Sequence, residues 1–205
     1  TTLSGTNKLT DFIVLGESRE KDSILLLQKY LYESRKFNST NVSEYSTSDI
    51  DKYLSADATE ADSYRSKLPE EIRNCLVKTT IGSYSYTSKA ILSLARDIFL
   101  MSYTEVGFTD DSTLANEGNS YLDALKIVAS TIVDDDARKT TNESGMSEKW
   151  VLRSSGNSSL VGLVDSDGSS VWTGAVVPDY VRPLLSVAPA TFVEKDTYIV
   201  SHLPK

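Results

Sequence analysis

The sequence predicts an α+β domain, and three observations carry that prediction. From Lys149 to Leu185 the chain alternates in the manner of half-buried strands, with Trp150, Leu152, Val161, Leu163, Val171, Val181 and Leu185 in the apolar positions. Gly156, Gly162, Gly168 and Gly174 punctuate this stretch as turns or bulges. Upstream, helix starts are written at Ser48 and Pro69. Together they give a twisted antiparallel sheet with helices packed against it and a long loop region above.

Two short strands open the domain, and a polar segment rich in Ser, Thr and Asn, from Ser34 to Ser48, leads into the first helix. Ser48 is placed to cap it, with Asp49 and Asp51 in the first turn, where the helix dipole favours negative charge. A second helix starts with Pro69 at its first position, followed by Glu70 and Glu71, and Ile72, Cys75 and Leu76 form its apolar face. Asp97 to Ser102 reads as a buried strand. Helical spacing of Leu122, Leu125, Val128, Ala129 and Ile132 predicts a helix over Tyr121 to Val133. Asp134-Asp135-Asp136 then follows its C-terminus, a placement the dipole disfavours, so plain solvation is the main reading there and a bound cation or basic partner the alternative.

Composition limits the function classes. A chain of 205 residues with 40% hydrophobic residues can bury one sizeable core, so residues 1–205 are read as a single domain. A net charge of -8 and no basic stripe argue against nucleic-acid binding, which depends on clustered Lys and Arg. No apolar run approaches the ~20 residues that span a bilayer, so no membrane insertion is expected. Thr1 to Lys8 lacks the charged and apolar regions of a signal peptide, and the start without Met leaves export open. Cys75, alone, forms no intramolecular disulfide and reads as a small buried hydrophobe.

The strong catalytic patterns are absent: no G-x-S-x-G, no phosphate-binding glycine loop, no C-x-x-C, and a single histidine, His202, close to the C-terminus. Asp165-Ser166-Asp167-Gly168 has the look of a calcium loop, with Asp165 and Asp167 as the candidate ligands. No glutamate closes it, and Asp-Gly between Val-rich strands is the stronger signal for a hairpin turn. Glu105 and Asp165 can be paired as hydrolytic carboxylates, though nothing selects them from 29 acidic residues. No cofactor or metal is expected, and the chain is read as non-enzymatic.

Trp150 and Arg153 read as scaffold. The tryptophan fills core volume, and the forked donors of Arg153 and Arg182 suit them to tying the backbone carbonyls of adjacent loops. Leu152 and Pro183 complete that structural signature. The candidate ligand contacts are aromatic: Trp172 and Tyr180 near the glycine-marked hairpin, and Tyr84 and Tyr86 in a Tyr/Ser/Gly loop of the composition that paratopes use. A cross-strand core position is the competing reading for Trp172.

The order Trp150-Val151-Leu152-Arg153-Ser154-Ser155, a glycine hairpin, then Tyr180-Val181-Arg182-Pro183-Leu184 resembles a family of bacterial and bacteriophage domains whose motifs read W-W-L-R-S-P and G-V-R-P-A. Val151, Ser155, Tyr180 and Leu184 depart from that pattern. The resemblance extends upstream, to Phe12–Gly16 and Ser23–Leu27 as opening strands, to Tyr45–Ile50 with Tyr53 and Leu54 as a helix entry, and to Phe192–Lys195 and Tyr198–Val200 as a typical ending. It implies the C-type-lectin-like fold shared with formylglycine-generating enzymes, whose paired cysteines this chain lacks. It also makes the polar stretch from about Gly107 to Ser147 a variable insertion, the kind of long loop on a rigid scaffold that carries binding.

By that analogy the expected function is a recognition or adhesion module on a phage particle, a tail or surface appendage, contacting a host-surface glycan or protein through the insertion and the loops near Trp172. The alternatives are a decoration or baseplate subunit that works by assembly with other virion proteins or with its own copies, and a bacterial surface domain of the same family.

Overall fold

The computed structural model describes residues 12–56, 61–114, 117–142 and 144–189, with the backbone of 199–200. The chain opens with β1 (Phe12–Glu17), β2 (Ile24–Gln28) and a short β3 (Ser34–Lys36). Three small helices follow, α1 (Asp49–Ser55), α2 (Tyr64–Lys67) and α3 (Glu70–Arg73), then the strands β4 (Thr79–Ser85), β5 (Ala90–Arg96) and β6 (Ile98–Leu100). Segment 107–147 carries α4 (Leu122–Ala129) and α5 (Asp134–Arg138). The C-terminal part is all strand: β7 (Trp150–Ser155), β8 (Leu160–Val164), β9 (Ser170–Gly174), β10 (Pro178–Tyr180), β11 (Pro183–Val187) and β12 (Ile199–Val200).

These elements build a mixed α and β architecture with three sheets and few helices, compatible with the expected α+β class. One sheet, ordered β12-β1-β2-β11-β6, is antiparallel throughout. Leu25, Leu26 and Leu27 of β2 are all buried, which is why this strand is an unbroken apolar run rather than an alternating one. The second sheet, β3-β10-β7-β8-β9, is antiparallel except where Tyr180 lies parallel to Trp150. The third is the β4–β5 hairpin alone. Among the described residues no helix is long and apolar enough to cross a membrane.

The first helix forms as its sequence dictates. Ser48 Oγ accepts from Asp51 N at 3.1 Å, and Asp49 and Asp51 occupy the first turn. Asp51 also grips Arg96 at the end of β5, with Oδ2 2.7 Å from Nη2. The second predicted helix is corrected. Pro69 stands one position before α3, at its N-cap, and the helix is a single turn. Leu76 leaves it to bridge Val187, and Val77 N donates to Ser186 O, so the pull of the β11 edge stops the helix. Cys75 is accordingly only partly buried.

Two further expectations are overturned. Gly82–Ser88, read as a loop, is the second half of β4 and the start of the β4–β5 turn. The helix expected to Val133 stops at Ala129, because Ser130 turns left-handed (φ 53°). Ile132, expected on its apolar face, is 91% exposed. Asp134, Asp135 and Asp136 therefore lie in the first turn of α5, where the dipole favours them. Each also has a cation: Lys126, Arg138 and Lys139 at 2.6, 2.7 and 2.6 Å. His202 lies outside the described residues, as do residues 192–195 and 198 of the expected ending.

Candidate functional site

The long segment is bolted to the scaffold at its base. Arg153, at the centre of β7, is fully buried and spends all five of its N–H groups. Nε donates to Gly82 O (2.8 Å), Nη1 to Leu100 O (2.5 Å) and Glu105 Oε2 (2.6 Å), and Nη2 to Glu105 Oε1 (2.7 Å) and Glu117 O (3.0 Å). One side chain thus joins β4, β6 and both ends of the 105–117 loop. Glu105 is held in turn by a reciprocal cap: Ser102 N donates to its Oε2 (2.9 Å), and its own N–H donates to Ser102 Oγ (3.1 Å).

Glu117 is the second buried carboxylate. It accepts from Tyr84 N at 2.8 Å and from Ser154 Oγ, whose oxygen also accepts from Tyr103 N. Burial raises its pKa to about 7, against the opposing pull of Arg153 and these donors. With Glu105 already matched to the guanidinium, ionising Glu117 would leave this interior with an excess negative charge, which is why burial favours its protonated form. Gly118 allows the close packing, since a Cβ there would stand 2.4 Å from Glu105 Oε1.

An aromatic row carries the scaffold outward to the insertion. Trp172 on β9 stacks on Tyr103 (centroids 5.3 Å, planes 17° apart), Tyr103 meets Phe108 at 4.6 Å, and the Arg138 guanidinium lies 4.2 Å above Phe108. Tyr103 donates to Asp110 at 2.8 Å, and burial lifts its pKa to about 12. Arg138 is nearly buried, donating to Val106 O and Gly107 O and to Asp135. Phe108, Asp110, Val133, Asp135 and Arg138 line an open groove between the loop and α5. Beyond it the surface is aliphatic. Ile127, Ile132, Val133 and Met146 are exposed, while only Val42 and Val177 match them elsewhere among the described residues.

The residues singled out from sequence fall into two groups. The signature residues are scaffold: Trp150, Leu152, Arg153, Arg182 and Pro183 are core or strand positions. Trp150 Nε1 donates to Arg138 O at 3.3 Å. Arg182 donates to Gln28 O (2.9 Å) and Lys29 O (3.4 Å) beneath the Trp150 ring, and with no carboxylate beside it, burial lowers its pKa to about 9. The aromatic candidates do not share a strand. Trp172 is half-buried, with one face on Tyr103 and its ring against Gly156. Tyr180 lies on β10, at the other side of that sheet, and Tyr84 and Tyr86 sit on the β4–β5 hairpin, with the Lys89 ammonium over the Tyr86 ring.

Asp165 and Asp167 are turn residues. Asp165 Oδ1 accepts from Ser166 N, Asp167 Oδ1 accepts from Ser169 N and Oγ, and Gly168 (φ 91°) closes the turn with N–H to Asp165 O. Glu105, once paired with Asp165 as a hydrolytic couple, is committed to Arg153. Among the described residues no group of three His, Cys, Asp or Glu is placed to hold a metal ion.

Two residues central to this site, Glu117 and Arg138, were not singled out from sequence, and Glu105 was named only as half of a hydrolytic pair, not as the partner of Arg153. Glu105 had a signal, the capping-box spacing Ser102-x-x-Glu105. Glu117 and Arg138 had none, since a lone acid or base in a polar stretch looks like solvated charge.

Comparison with curated proteins and with solved structures finds no match. Residues 21–189, which contain all the buried charges and aromatic residues described above, match the family described as a domain of unknown function, DUF6273, and the chain belongs to that family.

Proposed function

We propose that this chain is a non-enzymatic recognition domain of the C-type-lectin-like type, displayed on a phage particle, with its 107–147 insertion as the contact surface for a host-surface glycan or protein. The carrying observation is the concentration of exposed aliphatic side chains, Ile127, Ile132 and Val133, on a segment whose base is pinned by buried Arg153 and Arg138. A rigidly held apolar tip is what binding requires, because little ordering cost is left at the moment of contact. The lectin-like assignment is supported by largely antiparallel sheets, small helices and one long segment whose base is tied to β7 through Arg153. The non-enzymatic reading is supported by Glu105 and Glu117, whose oxygens are engaged by Arg153, Ser154 and the Tyr84 amide.

Binding of the purified chain to intact bacteria and to arrayed bacterial-surface glycans tests this reading. Ile132→Asp is expected to abolish binding with thermal unfolding unchanged, and Trp172→Ala to weaken it by loosening the aromatic row beneath. Binding that survives Ile132→Asp removes the insertion from the contact. A second reading, a structural subunit of the virion, draws on the same patch, since aliphatic rather than aromatic exposure suits a protein interface. It predicts large assemblies that Ile132→Asp disperses and no binding to cells.

A further inference from the structure

Among the described residues, the β4–β5 hairpin leaves one strand edge open. On β4, Gly82 O accepts from Arg153 and Tyr84 N donates to Glu117, so the main-chain groups of the even-numbered residues point away from β5. The odd-numbered residues of β4 therefore carry the ladder, pairing Ile81 with Leu94, Ser83 with Leu92 and Ser85 with Ala90. It follows that Ile91, Ser93 and Ala95 of β5 turn their N–H and C=O groups outward. Among the described residues nothing hydrogen-bonds these groups in Ile91 and Ser93, and Ala95 O has only the flexible Arg96 guanidinium.

This edge lacks the devices that keep strands apart. It is seven residues long, pairs with β4 without a bulge, and carries no proline and no charge from Ala90 to Ala95. Ala90, Ser93 and Ala95 are exposed, and Ile91, Leu92 and Leu94 are partly so.

We infer that β5 is a self-association edge at which a second copy of this chain pairs antiparallel, giving a continuous four-stranded sheet across a two-fold axis at Ser93. The sequence of the strand is complementary to itself in that register. Centring on Ser93 sets outward residues opposite outward residues, Ser93 to Ser93 and Ile91 to Ala95, so that each N–H meets a C=O. It sets Leu92 opposite Leu94 on the half-buried face, and aliphatic cross-strand pairs stabilise sheets. Lys89 falls opposite Asp97 and Arg96 opposite Ala90, so no like charges meet. A shift by one residue would turn the free N–H groups toward residues whose own groups already bond β4. The interface is isologous and closes at two copies. This inference stands apart from the proposed recognition role, because β5 lies outside the insertion.

Light scattering during gel filtration tests it. The wild-type chain is expected at twice 22.5 kDa. Ser93→Lys places two ammonium groups face to face on the axis and should halve that mass, as should Ser93→Asp. Mixing the two variants should restore the dimer, which no general loss of folding can imitate. In the unaltered protein, the Ile91 and Ser93 amides should exchange hydrogen more slowly as concentration rises. A wild-type monomer at every concentration overturns the inference, as does a dimer unmoved by either charge or amide exchange that ignores concentration. Capture of an extended foreign peptide by a monomeric chain would likewise overturn it, giving the edge to another occupant.

Discussion

Arg153 and Glu105 meet fork to fork, with Nη1–Oε2 at 2.6 Å and Nη2–Oε1 at 2.7 Å, and neither side chain exposes more than 6% of its surface. A buried pair of this kind is weak evidence for net stability but strong evidence for fragility, because each partner makes the other's burial tolerable. Arg153→Ala strands Glu105 and also frees the carbonyls of Gly82, Leu100 and Glu117. We expect a loss of about 3–5 kcal/mol in urea unfolding, and a loss nearly as large for Glu105→Gln. Arg153→Lys should not rescue, since one ammonium cannot fork to five acceptors. A change below 1 kcal/mol on the order of surface substitutions would remove the pair from its structural role.

Arg182 presents the opposite case, a buried guanidinium without a carboxylate. It ties Gln28 O and Lys29 O, leaves Nη1 without a partner among the described residues, and lies under the Trp150 ring. Arg182→Ala should cost at least about 2 kcal/mol, because two carbonyls at the end of β2 lose their donor in a dry environment. Unchanged stability in denaturant would sink the tying role.

How much of this could be read beforehand follows from the range of the forces involved. The strands around Trp150 and Val181, the cap at Ser48 and the turn at Asp165–Gly168 were legible because each is fixed by neighbours a few residues away. The carbonyl-tying role of Arg153 and Arg182 was legible from chemistry, though not which carbonyls. Where long-range contacts overrule local preference, the reading failed. Leu76 abandons its helix for β11, and the apolar spacing that continues to Ile132 is cut by a single left-handed residue, Ser130. Glu117 is invisible in sequence because its meaning comes from Arg153, 36 residues away.

Glu117 gives a pH dependence of definite sign. Its carboxyl ionises near 4.5 in an ordinary setting and near 7 in the fold. Between those values the folded chain holds a proton that the unfolded chain has released, so stability falls as pH rises through the window and levels off above it. The shift corresponds to about 3 kcal/mol between pH 4 and pH 8. Asp179, raised to about 6 by burial, slopes the same way, so the informative comparison is with Glu117→Gln. That variant should lose most of the decline and be the more stable chain at pH 8. Parallel pH profiles for the two proteins would show that Glu117 stays charged in the fold.

The docking of the insertion on the β8–β9 turn rests on Gly168. A Cβ at that position would lie 1.9 Å from Asp135 O, the backbone of α5, and the residue holds φ 91°. Gly145 offers a control, because it has a similar φ of 77° but open space around its missing Cβ. Gly145→Ala should therefore cost only the left-handed strain, about 1–2 kcal/mol. Gly168→Ala carries that strain and must also push α5 away from the turn, since backbone cannot swing aside as a side chain can. Its loss in urea unfolding should clearly exceed that of Gly145→Ala. It should also speed hydrogen exchange at Ala137, whose amide closes α5 on Val133 O at 3.1 Å, while leaving Arg153 N–H to Met101 O protected. Equal costs for the two substitutions, with α5 exchange unchanged, would mean that the insertion and the hairpin turn are held independently, and that the aliphatic tip is positioned from its base alone.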